Sequence, residues 1–151
     1  MLELYRTDAE NPDFVQLVKL LDADLKIRDG KDHAFYAQYN KIDRIKYAIV
    51  AYWEGQAVGC GAIKHFDAKR MEVKRMYVRE GYRGQGFASQ ILSALEAWAS
   101  ELQFQSCVLE TGINQPEAIS LYKKRGYTII DNYGQYEGVK TSFCFSKALH
   151  G

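Results

Sequence analysis

Several things are scarce in this sequence, and each scarcity removes a class of function. The formal net charge is only +1, so the chain has no basic footprint for nucleic acid or an anionic membrane. No apolar run approaches the roughly 20 residues of a membrane helix. The opening residues, Met1-Leu2-Glu3-Leu4-Tyr5-Arg6, lack the apolar core of a signal peptide. Cysteines number three, Cys60, Cys107 and Cys144; they are widely spaced, and each sits in a strand-like run. Buried free thiols in a reducing cytoplasm are the expectation. No Cys/His grouping has metal-ligand spacing, so no metal is expected. Repeats, low-complexity stretches and linkers are missing too, and residues 1–151 are expected to form a single domain.

What is present is an ordinary globular mixture, 47% hydrophobic and 26% charged. Leu2 to Arg6 alternates and predicts a short strand. Asn11-Pro12 opens a helix, with Asn11 as cap and Pro12 at the first helical position; Phe14, Leu17, Val18, Leu21 and Leu25 line its buried face. Lys26 to His33 reads as a polar turn, and a short helix is expected from about Ala34 to Tyr39. Tyr47–Glu54 and Ala57–His65 are strands joined in a hairpin at Glu54-Gly55-Gln56. Gly59 and Gly61 leave room there for a close approach. Arg70–Val78 is the next strand, followed by a glycine-rich loop and a helix whose apolar positions are Ala88, Ile91, Leu92, Leu95, Ala99 and Leu102. Ser106–Thr111 is a strand. Asn114-Gln115-Pro116-Glu117 has the pattern of a capping box, and its helix stops at Gly126. Tyr127–Ile130 and Thr141–Lys147 complete the strands. The order predicts an α/β layer arrangement with a mixed sheet.

The glycine loop is the informative element. A glycine-rich turn opening a helix turns unpaired backbone N–H groups toward one point, and the helix dipole adds positive potential there. A phosphate or pyrophosphate suits such a place. A nucleotide P-loop needs Gly-Lys-Ser/Thr, but Gly86 is followed by Phe87 and Ala88. A dinucleotide fold needs Gly-x-Gly-x-x-Gly, whereas Gly81, Gly84 and Gly86 have the reverse spacing.

The third reading is a coenzyme A pyrophosphate site. Arg83-Gly84-Gln85-Gly86-Phe87-Ala88 resembles the Arg/Gln-x-x-Gly-x-Gly/Ala signature of the GNAT N-acetyltransferase family. Glu72-Val73-Lys74-Arg75-Met76-Tyr77-Val78 is similar to the strand that precedes that signature. Asn114-x-x-x-Ala118-x-x-Leu121-Tyr122-x-x-x-Gly126-Tyr127 resembles the family's second motif. Together the three blocks extend the resemblance over nearly the whole chain.

The resemblance implies a GNAT fold: a central mixed, mostly antiparallel sheet of about six or seven strands, splayed into a V and flanked by about four helices. The splayed strands would be Arg70–Val78 and Ser106–Thr111, with acetyl-CoA in the cleft. Backbone groups of Met76 and Val78 would pair with the acetyl and pantetheine amides, as an added strand would. Backbone N–H groups of Arg83, Gly84, Gln85, Gly86, Phe87 and Ala88 would hold the pyrophosphate, and Asn114 would flank the pantetheine arm. Family members often dimerise through late strands, which leaves a homodimer open here.

Acetyl transfer to nitrogen needs a neutral amine. Holding a lysine-type amine neutral at pH 7 costs roughly 4–5 kcal/mol, an α-amino group about 1. Glu72 matches the position where some family members carry a base, acting directly or through water; it could instead only pair with Lys74, Arg75 or a substrate cation. Tyr122 matches the tyrosine that reaches the sulfur, as an acid for the thiolate, and the Met76 N–H would stabilise the oxyanion. The acceptor pocket would be built from Arg28, Asp29, Gly30, Tyr36 and Tyr39 on one side and from Tyr133 to Ser142 on the other. Asp29 or Glu137 would bind an ammonium and Arg28 a carboxylate. That mixture suits a small-molecule amine such as an amino acid or amino-acid-like compound. A protein N-terminus or lysine, and a non-catalytic coenzyme A-binding module, are the alternatives.

Overall fold

The second strand carries seven consecutive buried or half-buried apolar residues, and its two faces go to different helices. A computed structural model of the chain describes residues 1–30 and 45–149. Its elements are β1 (Leu2–Thr7), α1 (Pro12–Asp29), β2 (Tyr47–Trp53), β3 (Gln56–His65), β4 (Arg70–Val78), α2 (Phe87–Glu101), β5 (Ser106–Gly112), α3 (Pro116–Lys124), β6 (Thr128–Ile130), a single 3-10 turn (Gly134–Tyr136) and β7 (Ser142–Ala148). On β2, Ala48 and Val50 pack with Phe14, Leu17 and Val18 of α1. Ile49 and Ala51 pack with Ile91, Leu92 and Leu95 of α2. A strand covered on both faces reads as a continuous apolar run rather than an alternating one.

The strands form one sheet in the order β1-β2-β3-β4-β5-β7-β6. Only β4 and β5 run parallel; the other five pairings are antiparallel. This is the expected mixed, mostly antiparallel sheet. Three α-helices flank it among the described residues. The further helix expected from Ala34 to Tyr39 lies outside them.

α1 is longer than the sequence suggests. Asn11 caps it as expected, its side-chain oxygen accepting from the N–H groups of Asp13 and Phe14 at 2.8 and 3.1 Å. Lys26 to Asp29, read as a polar turn, instead forms the last helical turn, which ends at Gly30. Polarity alone does not stop a helix. Lys26 and Arg28 favour the negative end of the dipole, and Arg28 pairs with Asp24 one turn back at 3.2 Å. Gly30, at φ +55°, supplies the stop.

α3 also starts differently. Its cap is Gln115, with no side-chain cap bond. Asn114 and Glu117, the two ends of the expected capping box, are drawn across to α1 instead. Asn114 Nδ2 donates to the Arg28 carbonyl at 3.2 Å, and Glu117 accepts from the Arg28 guanidinium at 2.8 Å. A charge-assisted partner outcompetes a reciprocal cap.

The glycines of β3 are there for α2. A Cβ on Gly59 would lie 2.9 Å from the Tyr77 carbonyl oxygen and 3.0 Å from Ile91 Cδ1. Backbone of the neighbouring strand cannot yield cheaply, so Gly59→Ala is expected to cost about 1–3 kcal/mol. Urea denaturation checks this; an unchanged midpoint would mean that β3 and β4 can move apart at no cost.

Candidate active site

Parallel pairing between β4 and β5 lasts for three residues, Arg70–Ser106, Met71–Cys107 and Glu72–Val108, and then ends. The two strands diverge from there, as expected of the V. Beyond Glu72 the edge of β4 that faces β5 has no strand partner among the described residues. Arg79 N–H donates to the Val58 carbonyl at 2.8 Å, toward β3. Alternation along the strand therefore turns the backbone groups of Met76 and Val78 to the open edge. The Val78 carbonyl there accepts from Arg83 Nε at 2.7 Å, which ties the glycine loop to the strand end. The Arg83 guanidinium also lies over the Tyr77 ring, at 5.4 Å.

The loop has the backbone of an anion cradle. Gly84 and Gly86 have φ of +80° and +82°, and a Cβ at either would meet no protein atom within 4 Å. Glycine is needed here for its backbone conformation, and the space in front of it is open. Gly86 is the cap residue of α2, with no side-chain cap bond and no acidic residue in the first turn. The N-terminal N–H groups thus remain available to an anion. Phe87 anchors the helix start in the core against Trp53, centroids 5.4 Å apart, and Gln85 is exposed. An open strand edge leading to a capless helix N-terminus fits the amide arm and pyrophosphate of coenzyme A.

Where the strands part lies a cavity of about 90 Å³, several times the volume that admits one water. Glu72, Glu110, Tyr122 and Met76 all line it, together with Lys74 and Arg75. Asp29, on the last turn of α1, is 7% exposed and reaches the same space. Glu72 accepts from the Tyr133 hydroxyl at 2.7 Å and lies 3.8 Å from Lys74 Nζ. Glu110 accepts from Ser142 Oγ at 2.6 Å. Burial pushes the Glu110 carboxyl up to about 7; Ser142 and Lys74 offset this, while Glu72 and Asp29 add to it. Burial also holds Lys74 below the ordinary lysine range. Tyr122 packs against Tyr127 and Phe145. Burial first, and the Glu110 charge second, raise its hydroxyl, so it stays protonated at neutral pH.

The remaining sequence candidates separate. Arg28 is engaged by Asp24 and Glu117, and Asn114 by the Arg28 carbonyl; both brace α1 against α3 beside the cavity. Glu137 is exposed and outside the cavity lining. Tyr36 and Tyr39 lie outside the described residues. Among the charged residues that line the cavity, Glu110 was not singled out from the sequence, and Arg75 only as a possible partner of Glu72. A lone carboxylate inside the apolar run Cys107-Val108-Leu109-Glu110 was a usable signal. Arg75 had none, because it faces the cavity through a bulge in β4, where Cys60 pairs Tyr77 but Ala62 pairs Lys74. All three cysteines are buried and unpaired. Burial pushes the Cys60 and Cys107 thiols up to about 12 and Cys144 to about 11, which suits packing rather than acyl carriage.

Residues 10–127 match the model of the acetyltransferase (GNAT) family. A solved structure from Klebsiella pneumoniae, provisionally assigned as an acyl-CoA N-acyltransferase, is 28% identical and covers 99% of both chains at a TM-score of 0.84. A GNAT family acetyltransferase from Elizabethkingia anophelis with acetyl-CoA bound is 19% identical over 98% of each chain, TM-score 0.71. The PaiA N-acetyltransferase of Thermoplasma acidophilum, in complex with coenzyme A, is 17% identical over 98% of this chain and 99% of its own, TM-score 0.73. No protein of curated function matched the sequence.

The raised Glu110 carboxyl has a consequence for stability. The native state holds that proton more tightly than the unfolded chain does. Its stabilising contribution is complete below about pH 4.5 and is lost as pH rises to about 7. Relative to wild type, Glu110→Gln is expected to gain up to about 3 kcal/mol between pH 5 and pH 8. Urea titrations at both pH values measure the gap; a gap independent of pH would show that Glu110 titrates as an ordinary surface carboxyl.

Proposed function

This chain belongs to the GNAT acetyltransferase family and is an acetyl-CoA-dependent N-acetyltransferase; from that premise we propose that its acceptor is the primary amine of a small molecule. The observation that carries this reading is the cavity where β4 and β5 part. It is small, lined by ionisable groups of both signs, and bounded by the last turn of α1 on one side and Tyr136 on the other. Such a place suits a compact polar amine better than a long peptide, which would need an open groove.

Acetyl-CoA supplies an activated acyl thioester. The open edge of β4 at Met76 and Val78 would hold its amide arm, and the loop from Arg83 to Ala88 its pyrophosphate. Glu110 is the better-poised of the two carboxylates to take the proton from the incoming ammonium. Its carboxyl sits near neutrality, where a general base both is ionised and holds a proton well. Glu72 already accepts from Tyr133 and faces Lys74, which suits a role in holding the amine or passing its proton to Glu110 through water. The Met76 N–H would stabilise charge on the carbonyl oxygen. The Tyr122 hydroxyl, kept protonated by burial, would donate to the departing sulfur.

Base action requires ionised Glu110, so the rate should rise as pH passes through about 7. Thiol release from acetyl-CoA across a panel of small amines measures it. Glu110→Gln should abolish that limb of the profile, and a profile that keeps it would transfer the base role to Glu72. Tyr122→Phe should lower kcat by up to about 100-fold with little change in acetyl-CoA affinity; an unaltered kcat removes Tyr122 from the chemistry. Release with no small amine, but with peptides bearing a free N-terminus or lysine, would overturn the small-molecule reading.

A further inference from the structure

Arg75 is a charged residue that is buried and held in a left-handed backbone conformation. Its φ is +62°, a left-handed conformation that a long side chain rarely adopts. It occupies the one-residue bulge of β4. Val73 before it and Met76 after it both pack in the cluster of α2, while Tyr77 packs with α1. The bulge therefore places Lys74 and Arg75, neighbours in sequence, together on the α1 side, where both line the cavity. Regular alternation would have turned one of them into the core.

Only 2% of the Arg75 side chain is exposed. One end of its guanidinium is satisfied: Nη1 donates to Asp22 Oδ1 at 3.1 Å. Nε and Nη2 are fully buried and have no hydrogen-bond partner among the described residues. Burial lowers the pKa and Asp22 offsets this, yet a guanidinium stays charged. Buried donors without partners are rare in folded proteins and call for an occupant. These two nitrogens form one edge of the planar group, and their N–H bonds run side by side at the spacing of two carboxylate oxygens.

We propose that Arg75 is the anchor for a carboxylate on the acceptor, so that the small amine this enzyme acetylates is an amino acid or a related amino-carboxylate. The inference rests on the small-molecule reading above and adds the second functional group. The charges of the cavity complement such a zwitterion. Glu72, Glu110 and Asp29 offer negative charge to the ammonium, and the unpartnered edge of Arg75, closed to solvent in this structure, opens by a shift of its side chain to receive the acid. A plain amine would leave that edge unpaired. Arg28, the carboxylate ligand expected from the sequence, is already held between Asp24 and Glu117.

The test separates this proposal from the transferase reading. Calorimetry on the wild-type complex with coenzyme A would use N-acetyl derivatives of the common amino acids, each as the free acid and as the primary amide. At least one acid should bind roughly 10- to 100-fold more tightly than its amide, the range expected of a charge-assisted pair. Arg75→Gln should remove the difference, and Arg75→Lys, which keeps the charge but not the fork, should restore only part of it; coenzyme A binding reports that each variant is folded. Acids and amides that bind alike to the wild type, or a preference that survives Arg75→Gln, overturn the proposal. Thiol release is scored separately, with free amino acids against the same amines lacking the carboxylate. Equal turnover of the two sets would sink the Arg75 subsite and leave the transferase standing; turnover of neither would remove the small-amine reading itself.

Discussion

The parting of β4 and β5 after three paired residues is the constraint on which the rest of this molecule depends. A parallel pair that continued would satisfy the backbone of β4 and close the sheet, leaving no edge for a ligand and no cavity. Because it stops at Glu72–Val108, the backbone at Met76 and Val78 is left facing an opening. Two devices meet at that opening. The bulge at Arg75 sends two cations to one face, and the bridge from Arg28 to Glu117 and Asn114 holds the helices on either side of the gap together. The sheet is thus opened in the middle and tied across the top.

An opening of this kind exposes backbone and draws polar side chains into a half-buried space. Each buried charge there has a neighbour that lessens its cost: Glu72 has Tyr133 and Lys74, Glu110 has Ser142, and Arg75 has Asp22. The compensation is incomplete, and where it falls short the chemistry lies. Glu110 keeps a carboxyl near neutrality, and Arg75 keeps two buried donors unmet. On the proposed reading, stability is given up locally so that a proton can move and an acid can dock. The apolar clusters on the two faces of the sheet supply the remaining support, each helix burying alternate residues of the same strands.

Coenzyme recognition and acceptor recognition draw on different parts of the chain. The site proposed for the former is backbone: the open edge of β4, the left-handed glycines and the N-terminus of α2. The site proposed for the latter is made of side chains brought together from α1, β4, β5 and the turn at Tyr136. A backbone site tolerates wide changes of sequence, which accords with neighbours that are 17–19% identical and hold acetyl-CoA or coenzyme A. A side-chain site can differ completely between such proteins.

This difference is also what divides the legible from the illegible in the sequence. The strands, the helix start at Pro12, the glycine loop and the three motif blocks were readable, because periodicity, capping residues and glycine spacing are local properties. They pointed to the family and the coenzyme, and singled out Glu72 and Tyr122 as candidates. The length of α1 was misread because a polar face and a polar turn have the same composition. The capping box at Asn114 was misread because its two ends found partners 86 and 89 residues away. Glu110 left a signal in the sequence, as a lone carboxylate in an apolar run, but its place in the site, like that of Arg75, came only from tertiary structure. One depends on where a parallel pairing ends, the other on a bulge that inverts the alternation of its strand. Register and splay are set by long-range pairing, which no local pattern encodes, so the chain alone determined that an acetyl group is carried here, and the folded sheet decided which charges await the molecule that receives it.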